Sequence, residues 1–137
     1  MNFKTAIIRR AQFNAAHRLH NDNWSSEKNN EIFGKCNNPN FHGHNYIVEV
    51  KVIGEVDPDT GYVLDAKILK QIINRKIIDK YDHKNLNLDV PDFKNLIPTA
   101  ENIARVIFDN IRISLSNDLE LKIKLYETEN NIVEYPA

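Results

Sequence analysis

A chain of 137 residues is long enough to bury a core and is expected to fold as one domain covering residues 1–137. Its single cysteine, Cys36, excludes an internal disulfide and suits a reducing compartment, so a cytoplasmic protein is expected. Lys plus Arg is 18 and Asp plus Glu is 19, a formal net charge of −1, which excludes a general electrostatic footprint for nucleic acid or an anionic membrane.

The apolar run Ala6-Ile7-Ile8 is too short for a secretory signal, and no later stretch approaches a membrane span. Phe3 to Arg18 alternates loosely and reads as a long first strand. Asn21 to Asn40 is rich in Asn, Ser and Asp and reads as a long loop carrying one helical turn. From Asn45 the alternation is strict. Val48, Val50 and Val52 share one face and Glu49 and Lys51 the other, as in a half-buried strand. Asp57-Pro58-Asp59-Thr60-Gly61 is a turn, and Tyr62-Val63-Leu64 reads as a short strand. Asp65 to Lys80 changes to helical spacing, with Asp65 as N-cap and an apolar stripe of Ile68, Leu69, Ile72, Ile73 and Ile77. Thr99 to Leu115 is a second amphipathic helix, with Ile103, Val106, Ile107 and Ile111 inward. Leu121, Ile123 and Leu125 alternate with lysines as a further strand. Glu129-Asn130-Asn131 turns it into a closing strand, Ile132 to Tyr135.

Strands flanking a pair of helices predict an α+β fold: an antiparallel four-stranded sheet with two helices on one face. Such a sheet has exposed edges, a liability that oligomerisation or closure into a barrel removes.

Five histidines carry the strongest chemical signal. His42 and His44 are two apart at a strand start, so both imidazoles point to one face. His17, near the end of the neighbouring strand, completes a three-imidazole site suited to Zn²⁺ with a position left open for catalysis. His20 reads as a surface residue. Cys36 lies in the polar loop Gly34-Lys35-Cys36-Asn37-Asn38-Pro39, where a thiol near a metal and a lysine is expected to be reactive. The alternative makes Cys36 a fourth ligand, closing a structural Cys-His₃ site. Asp82-His83 follows the first helix. It is either ordinary helix-end chemistry or an acid-steadied imidazole that works with Cys36. Glu127 ends a strand, where a carboxylate is usually solvated but can also grip the guanidine-like edge of a pterin or purine. Glu101 opens the second helix, and capping is the economical reading of it.

Together these segments resemble a known family. Phe13 to Leu19, Gly34 to Asn40, His42 to Tyr46, Asp82 to Leu86, Thr99 to Asn102 and Tyr126 to Thr128 occur in the right order. The chain resembles the 6-pyruvoyl-tetrahydropterin synthase and 6-carboxytetrahydropterin synthase family over roughly Phe13 to Tyr135. The resemblance implies the tunnelling fold, in which three sheets close a barrel, two trimers stack as a homohexamer, and active sites lie between subunits. It implies a zinc site at His17, His42 and His44, catalytic roles for Cys36, Asp82 and His83, and a pterin anchor at Glu127. The match at Thr99 to Asn102 makes Thr99 and Glu101 candidates for substrate contact.

The implied substrate is 7,8-dihydroneopterin triphosphate, and the implied reaction is a lyase step that eliminates triphosphate. Lys35 and Arg18 are candidates for phosphate contact. Five residues separate Cys36 from His42, as in the pyruvoyl-forming type; the carboxy-forming type, which serves deazaguanine (queuosine) synthesis, remains the alternative. Phe41, where the pyruvoyl type generally has Gly, and Asp65, where Asn is common, depart from the pattern. A non-enzymatic zinc-stabilised binding module is the remote alternative.

Overall fold

The computed structural model describes residues 3–137. Strands β1 (Lys4–His17) and β2 (His42–Glu55) pair antiparallel over their whole length, from Lys4 opposite Glu55 to His17 opposite His42. Between them lies α1 (Ser26–Phe33), followed by a 3₁₀ turn, Gly34–Asn37. This segment is more ordered than the expected loop. Ser25 caps α1 by accepting from the Lys28 N–H, and the buried Asn29 amide bonds the Asn21, Trp24 and Ser25 carbonyls. Polar side chains that read as loop therefore build the helix start.

After β2, Tyr62 to Leu64 forms bends and not the expected strand. Gly61, at φ 79°, turns the chain back, and the Tyr62 carbonyl accepts from Asp57 N–H at 3.1 Å. Val63 and Leu64 spend their apolar surface against the core.

Asp65 caps α2 (Ala66–Ile73) as expected, its carboxylate accepting from the Lys67 N–H at 2.9 Å. The helix widens into a π turn over Asn74–Ile78 and ends as α3 (Asp79–Tyr81). Strand β3 (Lys84–Asn85) then lies parallel to β1 at Ala15 and Ala16. The short α4 (Leu86–Asp89) is capped by the Asn85 side chain, and the long helix α5 (Ala100–Arg112) by Thr99. Strands β4 (Glu120–Tyr126) and β5 (Ile132–Tyr135) close the sheet as an antiparallel pair.

The order is β3-β1-β2-β4-β5, so the sheet has five strands and is mixed, not four and antiparallel. The extra strand is two residues long, too short for periodicity to announce. Backbone bonds fix it instead: His83 N–H donates to Asn14 C=O at 2.6 Å, and Asn14 N–H donates to the Asp82 carboxylate at 2.9 Å.

The sheet buries one face against α2 and α5. Phe13 and Ala15 of β1, Tyr46, Val48, Val50 and Val52 of β2, and Leu121, Ile123 and Leu125 of β4 meet Leu69, Ile73, Ile103, Ile107 and Ile111. Each such aliphatic side chain contributes roughly 1.5–3 kcal/mol on burial. One assignment in the helical stripes differs: Ile68 is 46% exposed, whereas on α5 Val106 packs against the core, joined by a fully buried Ala104. Beside the core, the partly buried Asp92 carboxylate accepts from Lys80, Tyr81 and Asn110 at 2.8, 2.9 and 3.1 Å, tying the end of α3 to α5. Among the described residues no helix is long and apolar enough to cross a membrane.

Candidate metal centre and active site

The strict pairing of β1 with β2 builds the site. His17 faces His42 across the last rung, and His44 faces Ala15 two residues inward. The two-residue period puts all three imidazoles on the helix-covered face, at its open end, next to Phe13 and Tyr46. Their rings lie 4.5, 5.0 and 5.0 Å apart between centroids. One ligand nitrogen from each falls within 4.8 Å of the other two.

The local bonding prepares the cluster for a cation. His17 is fully buried, and its Nδ1–H donates to the Pro98 carbonyl at 2.7 Å, just before the Thr99 cap of α5. That bond fixes the tautomer and leaves Nε2 as a lone-pair donor. Burial, reinforced by the neighbouring imidazoles, lowers the His17 pKa from 6.5 to about 4 against the pull of the Pro98 carbonyl. Burial and His44 likewise lower that of His42. Neutral imidazole is the form that binds metal. His42 Nδ1 and His44 Nε2 are buried without a hydrogen-bond partner among the described residues. Buried polar atoms left unpaired are costly, and a metal shared by the three rings would satisfy these two. The donor set fits a divalent cation of the zinc type.

Tyr46, which the sequence reading passed over, stands over the cluster with its hydroxyl 3.3 and 3.5 Å from the two His17 nitrogens. Burial, then the charges of Glu127 and Cys36, push its ionisation well above the ordinary tyrosine value. Tyr46 therefore stays a hydroxyl, within electrostatic reach of both residues. Its place two residues after His44 on an alternating strand was the available signal. The Pro98 carbonyl had none.

Glu127, at the end of β4, has one carboxylate oxygen 4.0 Å from His17 Nε2 and is largely shielded from solvent. Cys36 is a partly buried free thiol in the 3₁₀ turn, with its carbonyl accepting from Leu19 N–H at 2.8 Å. Among the described residues Cys36 does not join the three-histidine group, which weighs against the closed Cys-His₃ site. His20 is not a free surface residue. Its Nδ1 lies 2.8 Å from the Asn37 amide nitrogen, which also donates to Leu19 C=O at 2.7 Å, so His20 braces the turn that carries Cys36.

Asp82 and His83 do form a pair: His83 Nδ1 lies 3.0 Å from the Asp82 carboxylate. The Asn14 N–H is the main influence holding Asp82 below the usual carboxylate range, against slight desolvation. The His83 side chain is 82% exposed and sits at φ 60° on the sheet edge. No hydrogen bond joins it to Cys36 among the described residues. Thr99 spends its hydroxyl on the α5 cap, accepting from Asn102 N–H at 3.2 Å, and Glu101 is exposed in the first turn. Lys35 is exposed, whereas Arg18 is half-buried and donates through Nε to Asn37 C=O at 3.0 Å.

Comparison with known proteins agrees with this geometry. The family model described as 6-pyruvoyl tetrahydropterin synthase matches residues 6–137. A human protein named 6-pyruvoyl tetrahydrobiopterin synthase is 49% identical over 129 residues, 94% of this chain and 89% of the human one. The solved structure of Caenorhabditis elegans 6-pyruvoyl tetrahydropterin synthase superposes with a TM-score of 0.91 at 43% identity, covering 96% of this chain and 94% of that one. A Pyrococcus furiosus protein named dihydroneopterin monophosphate aldolase is 35% identical, with 90% of each chain covered. With three imidazoles gathered at the end of one strand pair and relatives matched along nearly its whole length, this chain belongs to the 6-pyruvoyl tetrahydropterin synthase family.

Proposed function

We propose that the protein is a zinc-dependent lyase that converts 7,8-dihydroneopterin triphosphate into 6-pyruvoyl tetrahydropterin with release of triphosphate. The observation that carries this reading is the cluster of His17, His42 and His44, with two imidazole nitrogens buried and unpartnered. The names of the human and nematode relatives support the pyruvoyl product over the carboxy-forming alternative.

His17, His42 and His44 would hold the metal, and a metal there supplies Lewis-acid polarisation of the substrate's side-chain oxygens. Glu127, beside the cluster, accepts hydrogen bonds from the pterin's guanidine-like edge and sets the ring's distance from the histidines. Thr99 and Glu101, at the start of α5, would make the outer contacts to the substrate. The Cys36 sulfur takes a proton from the side chain, with Tyr46 staying a neutral hydroxyl beside the cluster. Loss of triphosphate and return of a proton to the ring complete a conversion that needs no external oxidant, because the side chain is oxidised as the ring is reduced.

His83, held by Asp82, is the partner base. Its exposure, and the lack of a bond to Cys36 among the described residues, favour action on the Cys36 of a neighbouring copy. The edge of β1 favours the same assembly. Among the described residues its outer edge is covered at Asn14 to Ala16, by Asp82 to Asn85, and Ile8 further along is 59% exposed. A homohexamer built as two stacked trimers satisfies both features, with one domain per subunit, in the cytoplasm.

The test is ³¹P NMR on zinc-loaded protein mixed with 7,8-dihydroneopterin triphosphate. Free triphosphate is expected to appear, and to stop appearing after chelation and return with added Zn²⁺. Substrate left intact by folded, loaded protein would refute the proposal.

A further inference from the structure

The chain that supplies His17 also holds the turn that carries Cys36. Arg18, Leu19 and His20 follow His17 directly, and all three bond to Cys36 or Asn37. Leu19 N–H donates to Cys36 C=O at 2.8 Å, and Arg18 Nε donates to Asn37 C=O at 3.0 Å. The Asn37 amide nitrogen lies 2.7 Å from Leu19 C=O and 2.8 Å from His20 Nδ1. Arg18 is itself anchored: its N–H donates to the Asn87 side-chain oxygen at 2.8 Å, and its carbonyl accepts from the Asn87 amide at 2.9 Å. The thiol-bearing turn is thus tied to a fixed segment that begins at a histidine of the cluster.

Asn37 is the hub of these ties. It is 4% exposed, so its amide hydrogens need partners inside the protein. The Leu19 carbonyl can only accept, which identifies the group facing it as the amide nitrogen and not the amide oxygen. The second hydrogen on that nitrogen goes to His20 Nδ1, which must accept it. His20 is accordingly the Nε2–H tautomer, and that N–H faces the exposed Asp22 carboxylate at 3.5 Å. Without an acceptor at this place a buried amide hydrogen is left unpaired, and the turn finds it a new partner only by shifting. A thiol that must meet a substrate atom at a set distance from the histidines tolerates little shift, since a displacement of about 1 Å can cost about a hundredfold in rate.

We propose that His20 is a positioning residue for Cys36, acting through the Asn37 amide to set the thiol's place relative to the histidine cluster. The inference rests on the function proposed above for the role of Cys36, but the clamp itself is testable without turnover. What the clamp requires of His20 is a lone pair at Nδ1, and the side-chain oxygen of an asparagine, one bond beyond Cγ as Nδ1 is, can supply it.

Cys36 is the chain's one cysteine, so alkylation by iodoacetamide reports on it alone. In zinc-loaded protein, His20→Leu, which fills the space without an acceptor, should raise the alkylation rate about threefold or more as the partly buried thiol is released. His20→Asn, which restores an acceptor, should stay within about twofold of the wild type. With the pterin substrate, His20→Leu should lower kcat about tenfold or more while KM stays within about twofold, and His20→Asn should recover most of that loss. Zinc content should match the wild type in both, which separates a displaced thiol from a damaged metal site. His20→Ala, which removes the acceptor without adding bulk, replaces His20→Leu if that variant folds poorly. Alkylation at the wild-type rate in the variant lacking the acceptor, or His20→Asn as perturbed as that variant, would overturn the assignment. If the wild type turns over and the variant lacking the acceptor keeps its kcat, the positioning role falls and the reaction stands. If the wild type does not turn over, the alkylation rates still decide the clamp.

Discussion

Acidifying the metal-free protein should unfold it earlier than its carboxylates would. His17 is fully buried among His42, His44 and Tyr46, with Glu127 at 4.0 Å and the Pro98 carbonyl on its Nδ1–H. Its pKa falls from 6.5 to about 4 in the folded state, mainly through burial. The unfolded chain therefore binds the extra proton first. Stability is full above pH 6.5, declines as pH falls toward 4, and loses nothing further from this group below that. At about 1.4 kcal/mol per pKa unit the whole shift corresponds to about 3 kcal/mol, with a slope up to about 1.4 kcal/mol per pH unit inside the window. His42, lowered in the same direction, adds to it. Urea unfolding of chelated protein at pH 7.5, 6.5, 5.5 and 4.5 measures the decline. His17→Gln can keep a donor toward Pro98 while removing the titration, so its stability should vary with pH by about one proton less. Stability that is flat from pH 7.5 to 4.5, or a slope identical in His17→Gln, would refute the assignment of a buried neutral imidazole.

Three other outcomes are expected. Cys36→Ala should retain bound zinc by elemental analysis and lose turnover, whereas His42→Ala should lose the metal; metal lost with Cys36 would make the thiol a ligand. Mixing unfolded Cys36→Ala and His83→Ala chains and refolding them together should restore measurable activity that neither has alone, because one copy's His83 then meets the other's Cys36; no recovery in properly assembled mixtures would place both groups in one chain. Asp92→Ala should lower stability by about 2 kcal/mol at pH 7, since Lys80, Tyr81 and Asn110 lose their shared acceptor. Although burial opposes ionisation of Asp92, those three donors outweigh it and lower its pKa, so this stabilisation is present at neutral pH and is lost as pH falls through and below 3.8.

Long-range pairing explains what could and could not be read from the chain. The alternation of Val48, Val50 and Val52 and the spacing of Leu69, Ile73, Ile103, Ile107 and Ile111 disclosed the buried face, because each period is a direct image of its element. The histidine cluster was legible for the same reason: His42 and His44 share a face by spacing, and His17 stands at the end of the neighbouring strand. β3 was not legible, since two residues carry no period and their pairing depends on Asn14, nearly seventy positions earlier. α1 was hidden because its order comes from Asn29 and Ser25, residues that also favour loops. The ties from Arg18, Leu19 and His20 to Cys36 and Asn37 join two separate segments, which no single stretch of sequence brings together.

The mass of the pterin product tests the central claim most directly. Zinc-loaded protein incubated with 7,8-dihydroneopterin triphosphate under reducing conditions should yield a tetrahydropterin that keeps all three side-chain carbons and has lost triphosphate. A product shortened to one side-chain carbon would contradict the account, since it would report carboxy-forming or aldol-cleaving chemistry at the same three histidines.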